Sequence, residues 1–253
     1  MITLWLLACA DAPDQRRAHA GRGGRDSGEP TETGDTGDTG SDVVDTGGPC
    51  APEMALVGKS VCVDRWEATI EGESPYAVPT GGVAVSEGGV SPQGYISGEV
   101  AAAVCAAAGK RLCSLDEWML ACGGAEGRTW PYGDEYDLYA CNDTYSGGHP
   151  MVDYFGTSDG VWDTEHMNDP GINQQPGTVA ETGEFTGCVT PEGVHDLHGN
   201  LHEWVSTPDG TFKGGFYADA AINGAGCAYT TTAHAFSYHD YSTGFRCCGD
   251  RRR

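Results

Sequence analysis

This sequence predicts a mixed α+β fold that is loop-rich, low in regular secondary structure and stapled by disulfides. Three observations carry the prediction. The chain holds 39 glycines, its periodic apolar segments are short, and its 11 cysteines are many for its size. Two segments read as helices, both short and both opened by a capping serine. With 253 residues the chain has room for one ordinary to large domain or two small ones.

The first residues are not domain material. Met1 to Ala8 is apolar and short, and Leu6-Leu7-Ala8-Cys9 looks like a bacterial lipobox. Residues 1–8 are therefore expected to be a lipoprotein signal segment and Cys9 the lipid attachment site; the plainer alternative is an apolar N-terminus. Residues 9–49 then form a tether rich in Gly, Asp, Thr, Glu and Ser, with the repeat Gly34-Asp35-Thr36-Gly37-Asp38-Thr39-Gly40. Such a composition buries too little apolar surface to offset its ordering entropy. Residues 50–250 read as one domain and 251–253 as a basic tail. With Cys9 lipidated, ten cysteines remain, an even number that permits five disulfides. That implies an oxidising compartment, so the expected location is the cell envelope, on a membrane-anchored lipoprotein facing the periplasm or the cell surface.

The formal net charge is −23. Between Asp26 and Asp250 the basic residues are Lys59, Arg65, Lys110, Arg111, Arg128, Lys213 and Arg246. Nucleic acid is excluded as a partner, because phosphate contacts need a basic face. The acidity is compatible with calcium.

Along the domain, Ser60 to Ile70 reads as a strand-like run containing Val61, Val63 and Trp66, with Cys50 and Cys62 at its entry. Gly81 to Ser97 reads as loop. Ser97 caps a helix over Gly98 to Ala108, with Val100, Val104 and Cys105 along one face and Gly109 as its stop. Ser114 and Glu117 form a capping-box pattern that opens a second helix ending near Cys122. Trp130-Pro131-Tyr132-Gly133-Asp134 is an aromatic turn. Asn142 to Thr190 shows no sustained period, and a connection of that length needs disulfides or ions to hold it; Cys141 and Cys188 bracket it. Val194 to Val205 leads into strands around Phe212 to Tyr217 and Gly244 to Cys248.

Five segments, in order, resemble the formylglycine-generating enzyme, or sulfatase-modifying factor, domain family. They are Val63-Asp64-Arg65-Trp66-Glu67-Ala68-Thr69; Ala108-Gly109-Lys110-Arg111-Leu112 with Glu117-Trp118; Trp130 to Asp134; Gly199-Asn200-Leu201-His202-Glu203-Trp204; and Lys213-Gly214-Gly215 with Gly244-Phe245-Arg246-Cys247. The resemblance implies a C-type-lectin-like fold with two short helices. It also implies the disulfides Cys105–Cys247 and Cys122–Cys227. The other six cysteines leave several connectivities open; one of them is Cys50–Cys62, Cys141–Cys188 and Cys113–Cys248.

The active enzymes of the family carry a copper-binding pair of cysteines just after the strand that Lys213-Gly214-Gly215 matches. The corresponding stretch here, Phe216 to Gly226, has no cysteine, so the thiolates that would hold Cu(I) are missing and copper is not expected. No catalytic residue is assigned. Calcium is expected, on the family's positions Asp196, Gly199, Leu201 and Glu203, with a weaker second set at Asn142, Asp143 and Asp169; a capped turn without an ion is the alternative. His195, His198 and His202 do not by their spacing make a transition-metal site.

Two functions follow. One is a calcium-stabilised binding or structural module for an extracytoplasmic protein, peptide or glycan, lacking formylglycine-generating activity. Its groove would be lined by Trp130, His202, Trp204, Phe216 and Tyr217, with Trp66 and Tyr132 as further candidates; core packing is the alternative for each aromatic and is expected of most of them. The other is a copper- or iron-dependent oxidase of the same family, acting on a protein cysteine or a small molecule.

Overall fold

A computed structural model describes residues 48–252. The lipobox-like segment 1–8, Cys9, most of the tether and Arg253 lie outside the described residues. Among the described residues ten strands are present: β1 (Met54–Val57), β2 (Val61–Asp64), β3 (Ala68–Ile70), β4 (Ala84–Ser86), β5 (Arg111–Leu112), β6 (His202–Val205), β7 (Thr211–Lys213), β8 (Thr230–Thr231), β9 (Thr243–Phe245) and β10 (Cys247–Asp250). Four α-helices accompany them: α1 (Gly98–Ala107), α2 (Leu115–Gly123), α3 (Pro150–Phe155) and α4 (Thr164–Met167).

The strands form two four-stranded sheets, ordered β1-β2-β10-β5 and β8-β7-β6-β9, plus the hairpin β3-β4. All pairings are antiparallel except β6 with β9. The run expected over Ser60 to Ile70 is therefore divided. It leaves the first sheet at Asp64 and re-forms as β3 in the hairpin, whose partner β4 lies in the stretch that reads as loop. Three-residue strands are too short to show alternation in the sequence.

Helices α1 and α2 form where the caps place them. The Ser97 hydroxyl accepts the Val100 amide at 3.3 Å, and Ala101, Val104 and Cys105 make the buried face. Val100 itself sits half-buried at the edge. Ser114 and Glu117 exchange hydrogen bonds of 3.3 and 2.9 Å, a complete capping box. The expectation of only two helices is corrected by α3 and α4, which punctuate the long connection. At six and four residues they carry no apolar period; their signals are purely terminal, with Pro150 as first residue and Gly156 as left-handed stop for α3, and Asp163 as cap for α4.

The structure closes five disulfides: Cys50–Cys62, Cys105–Cys247, Cys113–Cys248, Cys122–Cys227 and Cys141–Cys188. Adjacent residues on a strand face opposite sides. Cys247 accordingly reaches α1 on one face of β10, in a core with Ile96, Val104, Trp204 and Phe245. Cys248 reaches Cys113 on the other, in a core with Val63, Trp118, Val194 and Val205. β10 is thus the seam between two hydrophobic cores.

Candidate functional site

The turn before β6 is built by backbone that few residues tolerate. Asp196, Gly199 and Asn200 all have positive φ, at 61°, 78° and 55°. At Gly199 an added Cβ would lie 2.1 Å from the Asn142 carbonyl oxygen, so only glycine fits. That close approach lets Asn142 clamp the turn. Its carbonyl accepts the Asn200 amide at 2.8 Å, and its side chain donates to Asn200 Oδ1 at 2.9 Å.

Beneath the turn lies a buried charge cluster. Arg246 donates to Glu203 through Nε and Nη2 at 2.7 and 2.6 Å, and to the carbonyls of Asp64 and His195 at 2.9 and 2.7 Å. Trp118 Nε1 donates to Glu203 at 2.7 Å. Asp196 accepts the Gly183 amide at 2.7 Å. Glu67 accepts from the Leu201 amide at 3.0 Å and from the Asn200 side chain. Burial, then the charges of Asp196 and Glu203, push Glu67 well above the carboxylate range. Burial pushes Asp196 up to about 7. Three carboxyls thus face one guanidinium.

A cleft of about 300 Å³ opens beside this turn. One wall is the loop after β7. Phe216 and Asp219 exchange backbone bonds of 2.9 and 3.0 Å, and the loop returns through Ala220, Ala221, Ala225 and Gly226. Gly226 has φ 54°, and a Cβ there would meet the Thr129 oxygen at 2.1 Å. The Cys122–Cys227 disulfide pins the loop's end. The opposite wall is the aromatic turn, where Trp130 and Tyr136 tilt against each other with ring centroids 5.7 Å apart. Between the walls lie Asp143 and His198, with Oδ2 and Nε2 3.1 Å apart and both side chains 3% exposed. Asp143 comes from beside Cys141. The Cys188 sulfur packs 3.5 Å from the His198 carbonyl oxygen, so the Cys141–Cys188 bridge draws the two residues together.

A model of the sulfatase-modifying factor enzyme 1-like domain matches residues 43–251. The chain belongs to that family. Among solved structures it is similar to the Major Tropism Determinant I1 variant, at 14% identity and a TM-score of 0.49, over 81% of this chain and 54% of that one. It thus spans about half the length of that protein. It is also similar to PvdO from Pseudomonas aeruginosa, at 16% identity and a TM-score of 0.47, over 76% of this chain and 80% of that one. No curated protein matches.

In this sulfatase-modifying factor domain the aromatics singled out from sequence separate into two groups. Trp130 lines the cleft. His202, Trp204, Phe216 and Tyr217 do not form a surface groove, since they are 5%, 0%, 7% and 0% exposed. The reason is packing on and around the second sheet. Trp204 donates to the Ile96 carbonyl at 2.8 Å, and the Tyr217 hydroxyl to Asn173 Oδ1 at 2.9 Å. Trp66 is half-buried and stacks on His195. Tyr132 packs on Ala140 and the Cys141–Cys188 bridge.

The three histidines enter three surroundings: His195 under Trp66, His198 beside Asp143, and His202 among Phe212, Phe216 and Tyr229. Of the weaker oxygen set, Asn142 and Asp143 meet the turn, whereas Asp169 serves another one, accepting the Gly171 amide at 2.8 Å. The cleft pair of Asp143 with His198 was not assigned from sequence. Its only sequence signal is that Asp143 and His198 each stand within the reach of one bracketing cysteine.

Burial pushes the His202 imidazole down to about 3, so it stays neutral in the folded state. As pH falls below 6.5 the unfolded chain takes a proton that the folded chain refuses. Stability present above pH 6.5 is therefore lost progressively toward pH 3. His202 Nδ1 also lacks a hydrogen-bond partner. We predict that His202→Phe keeps the ring packing and removes this loss, about 2 kcal/mol between pH 7 and pH 5. Denaturant midpoints of both proteins across that range check it; parallel slopes would contradict it.

Proposed function

We propose that this domain is an extracytoplasmic binding module, stabilised by calcium and without formylglycine-generating activity, carried on an envelope lipoprotein. The observation that carries the reading is the chemistry of the loop after β7. Where the family's active enzymes hold their thiols, this loop offers three alanines and one glycine to the cleft, and all ten cysteines of the described residues are joined in disulfides. What remains at that place is a walled cleft with aromatic and polar faces, the makings of a recognition site. The five disulfides suit an oxidising compartment.

Calcium is supported by charge and donor type. Asp196 and the carbonyls of Gly199 and Leu201 on the turn, with Glu203 at the start of β6, are hard oxygens. The single guanidinium leaves carboxylate charge that a divalent cation would compensate. Glu203 already accepts three hydrogen bonds; a carboxylate has about four acceptor positions, so one is left for a cation.

The test uses purified domain, copper, oxygen and a Cys-x-Pro-x-Arg peptide. No aldehyde is expected by mass spectrometry, and aldehyde formation would overturn the non-catalytic reading. In the same preparation, calcium at a hundredfold excess over Kd is expected to stabilise the domain by about 2.7 kcal/mol over the chelated form. Asp196→Asn should abolish that response.

A further inference from the structure

We propose that Lys110 and Asp64 condense into an intramolecular amide, with Glu53 carrying the proton, so that the domain holds a permanent cross-link across its first sheet. The inference does not rest on the binding-module reading. Asp64 ends β2 and pairs in register with Met54 of β1, the residue after Glu53. Lys110 directly precedes β5. In the sheet order β1-β2-β10-β5, the three side chains come from strand ends on both sides of β10. Lys110 Nζ lies 2.7 Å from Asp64 Oδ1 and 3.4 Å from Glu53 Oε1. The Lys110 and Asp64 side chains are 11% and 0% exposed, and that of Glu53 is 36% exposed.

This arrangement supplies what amide formation needs. Nucleophile and acyl group are held in contact by the sheet, and well-oriented intramolecular pairs reach effective molarities on the order of 10⁵–10⁸ M. The acyl group must be a carboxylic acid, so that a hydroxyl can leave as water. Burial pushes the Asp64 carboxyl above its ordinary range even with Lys110 beside it. The Cys247 amide donates to Asp64 Oδ2 at 3.1 Å, where negative charge gathers as nitrogen adds. In the reaction, the ammonium proton that bonds Oδ1 passes to that oxygen, leaving an amine and an acid. Nζ adds to Cγ and the C–N bond forms. Glu53 takes a second proton from the nitrogen and delivers it to the Oδ1 hydroxyl, whose C–O bond breaks. One ammonium and one carboxylate become one amide and one water. Glu53 is restored, and no oxidant or cofactor is consumed.

Burial also favours the product. A buried ion pair bears the desolvation of two charges, whereas an amide bears that of a neutral group only. Glu53 and Lys110 line a cleft of about 630 Å³ with Pro52, Trp66, Val85 and Ala108, which gives the released water a way out. The choice of cation matters too. Arg246 with Glu203 and Arg111 with Glu117 pair through guanidinium groups, which stay charged and do not acylate. Lys213, the other deeply buried lysine, meets the Thr230 hydroxyl rather than a carboxyl. The Lys110–Asp64 bond joins residues 46 apart in sequence and, unlike the five disulfides, survives a reductant.

The experiment is tryptic peptide mapping of the full chain by mass spectrometry, after reduction and alkylation. Trypsin spares an acylated lysine, so the expected product is the peptide of residues 60–65 joined to that of residues 66–111. It should be lighter than the sum of the two by one water, with fragment ions placing the bond on Asp64 and Lys110. Recovery of residues 60–65 and 66–110 as free peptides in full yield overturns the inference. Lys110→Arg keeps a positive charge beside Asp64 and should regain the missing water, once the mass of the substitution is allowed for. A water deficit that persists in that variant lies elsewhere in the chain and overturns the inference as well. Glu53→Gln leaves the Lys110–Asp64 pair in place and should slow formation of the joined product about a hundredfold, read as its yield at timed intervals during expression. Equal yields would overturn the role given to Glu53. The binding-module reading fails separately, by aldehyde formation on the cysteine peptide.

Discussion

Arg246→Met is expected to cost the domain about 3–5 kcal/mol and to leave little folded protein. Arg246 and Glu203 are 0% and 1% exposed, so their pairing is not diluted by solvent. Removing the guanidinium strands the Glu203 carboxylate beside Asp196 and Glu67 and frees the carbonyls of Asp64 and His195. Each of those groups then bears its desolvation cost unmatched. A typical domain has only about 5–15 kcal/mol in total. Arg246→Lys should recover little, because an ammonium cannot reproduce the forked contact on Glu203 while reaching two carbonyls. Guanidinium unfolding with the disulfides intact, followed by tryptophan fluorescence, measures the loss. A cost under about 1 kcal/mol would mean that the carboxylates find another way to neutralise themselves, by protonation or by a cation.

The second large effect is expected from removing Cys105–Cys247 by a double alanine substitution. That bridge spans 142 residues, against 12 for Cys50–Cys62. With Cys113–Cys248 still closed, however, the loop that the long bridge adds in the unfolded chain is only about ten residues, so chain entropy assigns about 3 kcal/mol to either bridge. Both sulfurs of the long bridge are also fully buried, between α1 and β10, so its loss leaves a cavity as well. The ranking is the informative result. Equal costs from the two double substitutions, measured by denaturant unfolding, would show that the buried sulfurs add no packing beyond the restriction of the unfolded chain.

What the sequence disclosed depended on how local the cause was. The caps at Ser97 and at Ser114 with Glu117 act within one turn of chain, and both helices begin where those residues stand. The Gly199-Asn200 turn is equally local, because its backbone conformation excludes other residues. Helices α3 and α4 stayed hidden because they are shorter than the apolar period by which helices are recognised. That most of the aromatics would be core was legible, but which ones was not: His202, Trp204, Phe216 and Tyr217 could each serve a core or a groove, and only the surrounding sheet and loops decide. The Asp143–His198 pair joins residues far apart in sequence. What unites them is a disulfide and the Asn142 clamp, and the one trace these leave in the sequence is the pair of bracketing cysteines, Cys141 and Cys188. Residues that act through a turn were readable; residues that meet through the fold were not.

The seam strand β10 has a consequence for how the domain is made. Its two cysteines close bridges to positions 142 and 135 residues earlier, and the preceding residue, Arg246, supplies the counter-charge for Glu203. During synthesis Cys105 and Cys113 therefore emerge as free thiols long before their partners exist. They are near neighbours on the nascent chain, and the bridge nearest to hand is the wrong one, to each other. Correct assembly must wait for a segment made 142 and 135 residues later, and any premature bridge must be exchanged by thiol attack. Folding of such a domain is better served by a disulfide isomerase than by an oxidant alone.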